Sequence, residues 1–137
     1  MIVVDTNVLS ELMRSSPDAN VVAWLSTHAK VIAIPAIAIG ELRYGVARLR
    51  DGRRKHSLDA ALNELVTRYA GSLLAYDVQA ANACGAFLAS AEAAGRPMSL
   101  ADAQIAGIAK VAQARLATRN ISDFEVTRLG LINPWES

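Results

Sequence analysis

The chain opens on Met1-Ile2-Val3-Val4-Asp5-Thr6-Asn7, an apolar run without polar alternation that ends on a carboxylate and two small polar residues. A strand with one face in water alternates apolar and polar side chains, whereas a strand covered on both faces by helices becomes a short continuous apolar run. Residues 1–4 therefore predict a buried central strand of an α/β sheet. Asp5 then stands where that strand leaves the sheet. The carboxyl end of a parallel sheet is where ligands collect, so an acid there points to catalysis or metal binding. An equally good local reading makes Asp5 the N-cap of a helix starting near Val8, since Asp, Thr and Asn oxygens cap well.

The same alternation continues down the chain. A short helix is expected over 8–13. Ser16-Pro17 supplies an N-cap and a first-turn proline for a helix to about Lys30, with Val21, Val22, Leu25 and His28 at helical spacing. Residues 31–34 read as a second strand, and Pro35 can occupy the first turn of a helix that carries Glu41 and runs to about Arg50. Asp51-Gly52 breaks that helix. The next is amphipathic, with Leu58, Leu62, Leu65, Val66 and Tyr69 on one stripe. Gly71 ends it, residues 73–76 form a third strand, and Asp77 caps an alanine-rich helix over 78–94. A helix from Ser99 to about Ala114, a fourth strand over 115–118, a polar loop over 119–124 and a fifth strand over 129–132 complete the series. Strands alternating with helices predict a three-layer α/β/α domain around a mostly parallel sheet of about five strands, with residues 1–137 as one domain.

That length buries a sizeable core without disulfides. The lone cysteine, Cys84, has no partner and reads as a small core residue of a protein kept in a reducing, cytoplasmic setting. No apolar run approaches a membrane span. Fourteen bases face 13 acids; with Asp5, Glu41, Asp102 and Asp123 set aside, nine acids remain and the balance is +5. A mildly basic body around an acidic hole suits a polyanion held over metal ions.

Those four acids share a position type. Asp5 follows strand 1, Glu41 lies in the helix after strand 2, Asp102 starts a helix, and Asp123 lies in the loop after strand 4. Loops that follow parallel strands emerge on one edge, so Asp5 and Asp123 face each other if strands 1 and 4 are neighbours. Clustered carboxylates resist ionising together unless a divalent cation compensates them, and hard oxygen ligands suit Mg²⁺ or Mn²⁺. Each acid also has a plainer reading. Asp102 completes a capping-box-like Ser-x-x-Asp, Glu41 can be a solvated helix residue, and Asp123 an ordinary turn acid. Spacing alone leaves these open.

The segments Ile2 to Asn7, Gly40-Glu41-Leu42, Ser99-Leu100-Ala101-Asp102-Ala103-Gln104-Ile105-Ala106 and Leu116-Ala117-Thr118-Arg119-Asn120 with Asp123-Phe124 together resemble the successive motifs of PIN-domain ribonucleases. The likeness is to VapC-type toxins of type II toxin–antitoxin pairs, including the FitB-like branch, and spans nearly the whole chain. The resemblance implies a metal-dependent endoribonuclease in which Asp5, Glu41, Asp102 and Asp123 hold Mg²⁺ or Mn²⁺, with Asn7, Thr118 and Asn120 as supporting polar residues. It also implies an RNA substrate, a homodimer, and a small VapB-like antitoxin whose tail covers the acidic site. For such partners the alanine-rich helix offers small side chains for close contact, and the early helices offer a groove.

A second functional candidate is the basic segment Arg48, Arg50, Arg53, Arg54 and Lys55, whose cations could follow a phosphate backbone; a solvated helix junction explains it equally well. Tyr44, three residues after Glu41, reads as a core or interface residue, with contact to a base as the alternative. His28 and His56 have no ligand partners nearby in sequence, and Trp24 and Trp135 read as packing residues, Trp135 pinning the C-terminal tail. Rival enzyme classes fit poorly. A haloacid-dehalogenase-like phosphatase needs an acid where Asn7 stands, and a receiver domain needs adjacent acids after strand 1. The remaining alternative is a PIN-like RNA- or protein-binding module without turnover.

Overall fold

The computed structural model describes residues 1–137. Its strands are β1 (Ile2–Val4), β2 (Ile32–Pro35), β3 (Leu73–Leu74), β4 (Arg115–Ala117) and β5 (Leu131–Ile132). They form one sheet in the order β3-β2-β1-β4-β5, every pair parallel. The helices are α1 (Thr6–Leu12), α2 (Ala19–Thr27), α3 (Ala36–Ala47), α4 (Arg53–Arg68), α5 (Val78–Ala93), α6 (Leu100–Val111) and α7 (Ile121–Phe124).

The apolar run at the N-terminus does what its pattern demands. Ile2, Val3 and Val4 are all buried, but they feed two different cores. Ile2 and Val4 join Ile32 and Ile34 under Leu9, Trp24, Leu25, Leu42, Leu62 and Leu65 of α1 to α4. Val3 joins Ala33 and Leu116 under Ile105, Ala106, Ala109 and Phe124 of α6 and α7. Alternate side chains point to opposite faces of a strand, and helices cover both faces here. The result is a three-layer α/β/α fold. No helix is long and apolar enough to cross a membrane.

Several local expectations shift. The second helix is capped by Asp18 rather than Ser16, because the Asp18 carboxylate accepts from the Asn20 and Val21 amides at 2.9 and 3.2 Å. The buried Glu11 in turn accepts from the Asp18 amide at 2.8 Å. Pro35 closes β2 and takes the N-cap position with an extended ψ of 138°, so it precedes the first turn instead of occupying it. The α3 helix stops at Ala47 and α6 at Val111, where Gln113 follows in the left-handed region with φ of 54°. β3 and β5 shrink to two residues each. The loop expected over 119–124 contains α7, held down by the fully buried Phe124. Trp24 is buried and stacks on His28 at 4.5 Å, Cys84 is buried and free, and the Trp135 carbonyl accepts from Asn20 Nδ2 at 3.0 Å, pinning the tail as expected.

The layer of α5 and α6 depends on backbone contact. A Cβ added to Gly107 of α6 would lie 2.4 Å from the Ala80 carbonyl oxygen and 3.1 Å from the Cys84 amide nitrogen of α5. Neither atom can rotate away. Gly107→Ala should therefore destabilise by about 1–3 kcal/mol through overpacking, despite the better helix propensity of alanine. Gly85→Ala on α5, where nothing lies within 4 Å, should stabilise by up to about 1 kcal/mol. Urea unfolding of both variants measures the two signs, and equal effects would refute this account.

Candidate active site

Asp5 performs both of the tasks open to it. Its Oδ1 accepts from the Thr6 amide at 2.7 Å, capping α1, and its Oδ2 accepts from Thr118 Oγ1 at 2.7 Å and Asn7 Nδ2 at 3.2 Å. The Asp5 amide donates to the Ala117 carbonyl at 2.9 Å, extending the β1–β4 ladder. Asp5 is thus fixed between adjacent central strands, with only 4% of its surface exposed. Burial pushes its carboxyl above the ordinary aspartate range. The Thr118 hydroxyl and Thr6 amide oppose that rise, and the Glu41 and Asp123 charges add to it.

The other three acids come to the same edge. Glu41, exposed on α3, accepts from Thr6 Oγ1 at 2.6 Å, so Thr6 touches two of the four acids. Thr6 was not among the residues singled out from the sequence; its place between a strand-terminal aspartate and the first helical turn was the available signal. Asp102 lies in the first turn of α6, where Ser99 Oγ accepts from its amide at 3.1 Å. Only half of a capping box forms, since the carboxylate does not return a bond to the Ser99 amide. Desolvation, and after it the charge of Asp5, push the Asp102 carboxyl up to about 6, with Asp123 and Glu41 adding to the rise and Ser99 opposing it. Asp123 is exposed on α7.

The supporting residues divide by contact. Thr118 is fully buried and bonds Asp5 directly. Asn7 bonds Asp5 through Nδ2 and accepts from the Arg119 amide through Oδ1 at 3.4 Å, linking the loops after β1 and β4. Asn120 reaches the site through its backbone, donating its amide to Thr118 Oγ1 at 3.0 Å. Asp5 and Asp102 both feel the charges of Glu41 and Asp123, yet no three His, Cys, Asp or Glu side chains converge into a ready cation cage.

None of the four acids has an ion-pair partner, whereas Glu11, Asp51, Asp59, Glu64 and Glu125 each pair with a cation. The chemistry of these groups, hard carboxylate oxygens of which two have raised affinity for a proton, is the kind Mg²⁺ or Mn²⁺ prefers, although the side chains do not converge on one point.

In the basic segment, Lys55 is used locally, donating to the Ala47 carbonyl at 3.0 Å and pairing with Asp51 at 3.5 Å. Arg48, Arg50, Arg53 and Arg54 are exposed and have no carboxylate partner. Tyr44 is 67% exposed, which removes it from the core. Of the small side chains of α5, Ala80, Cys84 and Ala91 are buried within the chain, where α6 is the most heavily packed neighbour. Ala81, Gly85 and Ala89 remain exposed on the opposite face. Between the end of α1 and α4 lies a cleft lined by Leu12, Met13, Ala61, Leu65 and Tyr69 together with the charged Glu64 and Arg68.

A pH dependence follows from Asp102. In the unfolded chain its carboxyl loses its proton near the ordinary value of 3.8, and in the folded protein only near 6. Between those values the folded state holds more protons, so stability falls as pH rises through this window and levels off above it. In EDTA, the melting temperature of Asp102→Asn relative to wild type should therefore increase from pH 4 to pH 7. A difference independent of pH would show that Asp102 serves only to cap α6.

The comparisons with known proteins agree with this geometry. The PIN domain family model matches residues 2–128. The chain is 37% identical to VapC ribonuclease Y4jK of Sinorhizobium fredii over 138 residues, covering 99% of each chain. It is 36% identical to Toxin FitB of Neisseria gonorrhoeae over 137 residues, covering 98% of this chain and 99% of that one. The structure of FitAcB from Neisseria gonorrhoeae superposes with a TM-score of 0.91 at 34% identity, with full coverage of both chains. A parallel sheet with neighbouring β1 and β4, four acids on its carboxyl edge and full-length likeness to VapC and FitB proteins place this chain in the PIN-domain family.

Proposed function

We propose that the protein is a metal-dependent endoribonuclease, the cytoplasmic toxin of a VapBC-like toxin–antitoxin pair. The observation that carries this reading is the set of four unpaired acids around the buried Asp5, in a chain whose full-length relatives are named as a VapC ribonuclease and the FitB toxin. Bound Mg²⁺ or Mn²⁺, held by Asp5, Asp102, Glu41 and Asp123, would offset charge on the phosphodiester and activate the attacking water.

The chain's own residues prepare that site. Thr118 and the Thr6 amide hold the Asp5 oxygens in fixed directions, so no reorganisation is needed when a ligand arrives. The Thr6 hydroxyl aims Glu41 toward the same edge. Asp102, charged above about pH 6, completes the anionic edge at neutral pH.

Asp5→Asn should reduce cleavage of RNA on the order of a hundredfold or more, since a metal site contributes several kcal/mol to the barrier. Thr118→Val, which keeps the shape and removes the hydroxyl, should cost roughly 10–100-fold in activity or metal affinity. Sequencing of new RNA ends with and without Mg²⁺ or Mn²⁺ measures both. Full activity in EDTA, or in Asp5→Asn, refutes the mechanism.

The partner reading is a homodimer neutralised by a small antitoxin. An arginine from the antitoxin would pair bidentately with carboxylates that have no cation of their own, and the cleft at Leu12, Met13 and Leu65 offers an apolar seat for a partner helix. Inhibition by the antitoxin should weaken as Mg²⁺ or Mn²⁺ is raised, because both ligands use the same oxygens. Co-expression with the product of the neighbouring reading frame should yield a complex, and expression alone should arrest growth. Harmless expression of an active enzyme would remove the toxin role and leave the nuclease.

A further inference from the structure

We infer that a groove beside the acidic edge takes the single-stranded RNA flanking the cleaved phosphate, with Arg48 and Arg54 on its backbone and the Tyr44 ring under a base. The inference rests on the ribonuclease reading and deepens it. The groove measures about 400 Å³ between α1, α3 and α4. Leu42 and Val46 give it an apolar floor, Arg48 and Arg54 stand on its exposed sides, and Glu41 contributes to its wall.

Charge selects the occupant. Arg48 and Arg54 both line the groove, and neither has a carboxylate partner. Cations left unpaired beside a phosphodiester site complement a polyanion.

The aromatic ring narrows the choice to an unpaired strand. Tyr44 lies one turn from Glu41, is 67% exposed, and has the Arg48 guanidinium carbon 5.4 Å from its ring centroid. Exposed aromatic rings and arginine planes together form stacking platforms for unpaired bases, while a duplex keeps its bases stacked on each other. Arg48, at the C-cap of α3, lies seven residues beyond Glu41, roughly 10 Å along the helix axis. That is roughly three nucleotides at about 3.4 Å of rise per strand, so the groove addresses the strand next to the cut.

Gly45 permits a test without loss of charge. It lines the groove, and a Cβ there meets nothing within 4 Å. Gly45→Leu fills the groove while improving the propensity of α3.

The test is fluorescence anisotropy in EDTA with a labelled single-stranded oligoribonucleotide at several salt concentrations, with the same strand in a duplex as comparison. Cleavage in Mg²⁺, unfolding temperature and light scattering are followed in parallel. Replacing both Arg48 and Arg54 by alanine should make the plot of log affinity against log salt shallower by about 1.4, or about 0.7 per lost phosphate contact. Tyr44→Ala should weaken binding roughly five- to hundredfold without altering that slope, and Tyr44→Phe should restore it. Gly45→Leu should weaken binding with no fall in unfolding temperature. Each of these variants should raise KM more than it lowers kcat, and Lys110→Ala, at the far end of α6 from Asp102, should match wild type.

Groove variants that bind RNA as tightly as wild type overturn the assignment, as does equal weakening for duplex and single strand. A Tyr44→Ala protein with altered oligomeric state and unchanged RNA affinity would give this surface to a second copy instead. A wild type that cleaves RNA while its groove variants bind normally overturns the groove alone. One that neither binds nor cleaves overturns the ribonuclease reading with it.

Discussion

The hydrogen bond from the Thr118 hydroxyl to Asp5, 2.7 Å long and wholly buried, is the contact on which the site depends. It joins residues 113 positions apart in the chain, at the ends of the two central strands. A carboxylate with 4% of its surface exposed would cost several kcal/mol if left without donors. The Thr118 hydroxyl, the Thr6 amide and the Asn7 side chain supply them. Those donors moderate the desolvation without cancelling it, so Asp5 stays short of positive charge. That shortage is what the proposed cation site rests on, beyond the capping of α1.

The sheet order converts this local arrangement into a functional edge. Because β1 and β4 are neighbours, the loop after β4 carries Thr118, Asn120 and Asp123 to the end of β1. The α3 and α6 helices bring Glu41 and Asp102 to the same edge from opposite layers. The α6 helix that carries Asp102 also packs closely on α5 at Gly107, where a Cβ would meet the Ala80 carbonyl. The basic surface is laid out just as unevenly. Some cations are spent on local contacts, as Lys55 is on Asp51 and the Ala47 carbonyl, while Arg48 and Arg54, without carboxylate partners, line a groove that Glu41 also borders.

What was legible in the sequence was whatever depends on local pattern. The unalternating run at Ile2 to Val4 identified a strand covered on both sides, and its burial in two separate cores bears that out. Asp5 and Asp123 could be placed on one edge on the condition that β1 and β4 are neighbours, because connections after parallel strands share an edge; Asp102 follows a helix, and the quartet as a whole came from the resemblance to PIN-domain ribonucleases. The errors cluster where two local solutions compete. Ser16-Pro17 and Asp18 both offer a cap, and the carboxylate won by accepting from two amides. The segment over 119–124 reads as a polar loop until Phe124 is given a core to enter.

The sequence by itself determined the α/β class and the alternation of strands with helices, because periodicity and chain reversal are properties of neighbouring residues. Only the tertiary structure decided that Thr118 satisfies Asp5, that Thr6 joins Asp5 to Glu41, and that Tyr44 faces solvent under Arg48 instead of the core. Those outcomes depend on distances between segments remote in the chain and on which helix face the neighbouring layer covers. No local pattern encodes either, since a helix presents every one of its faces until something packs against it.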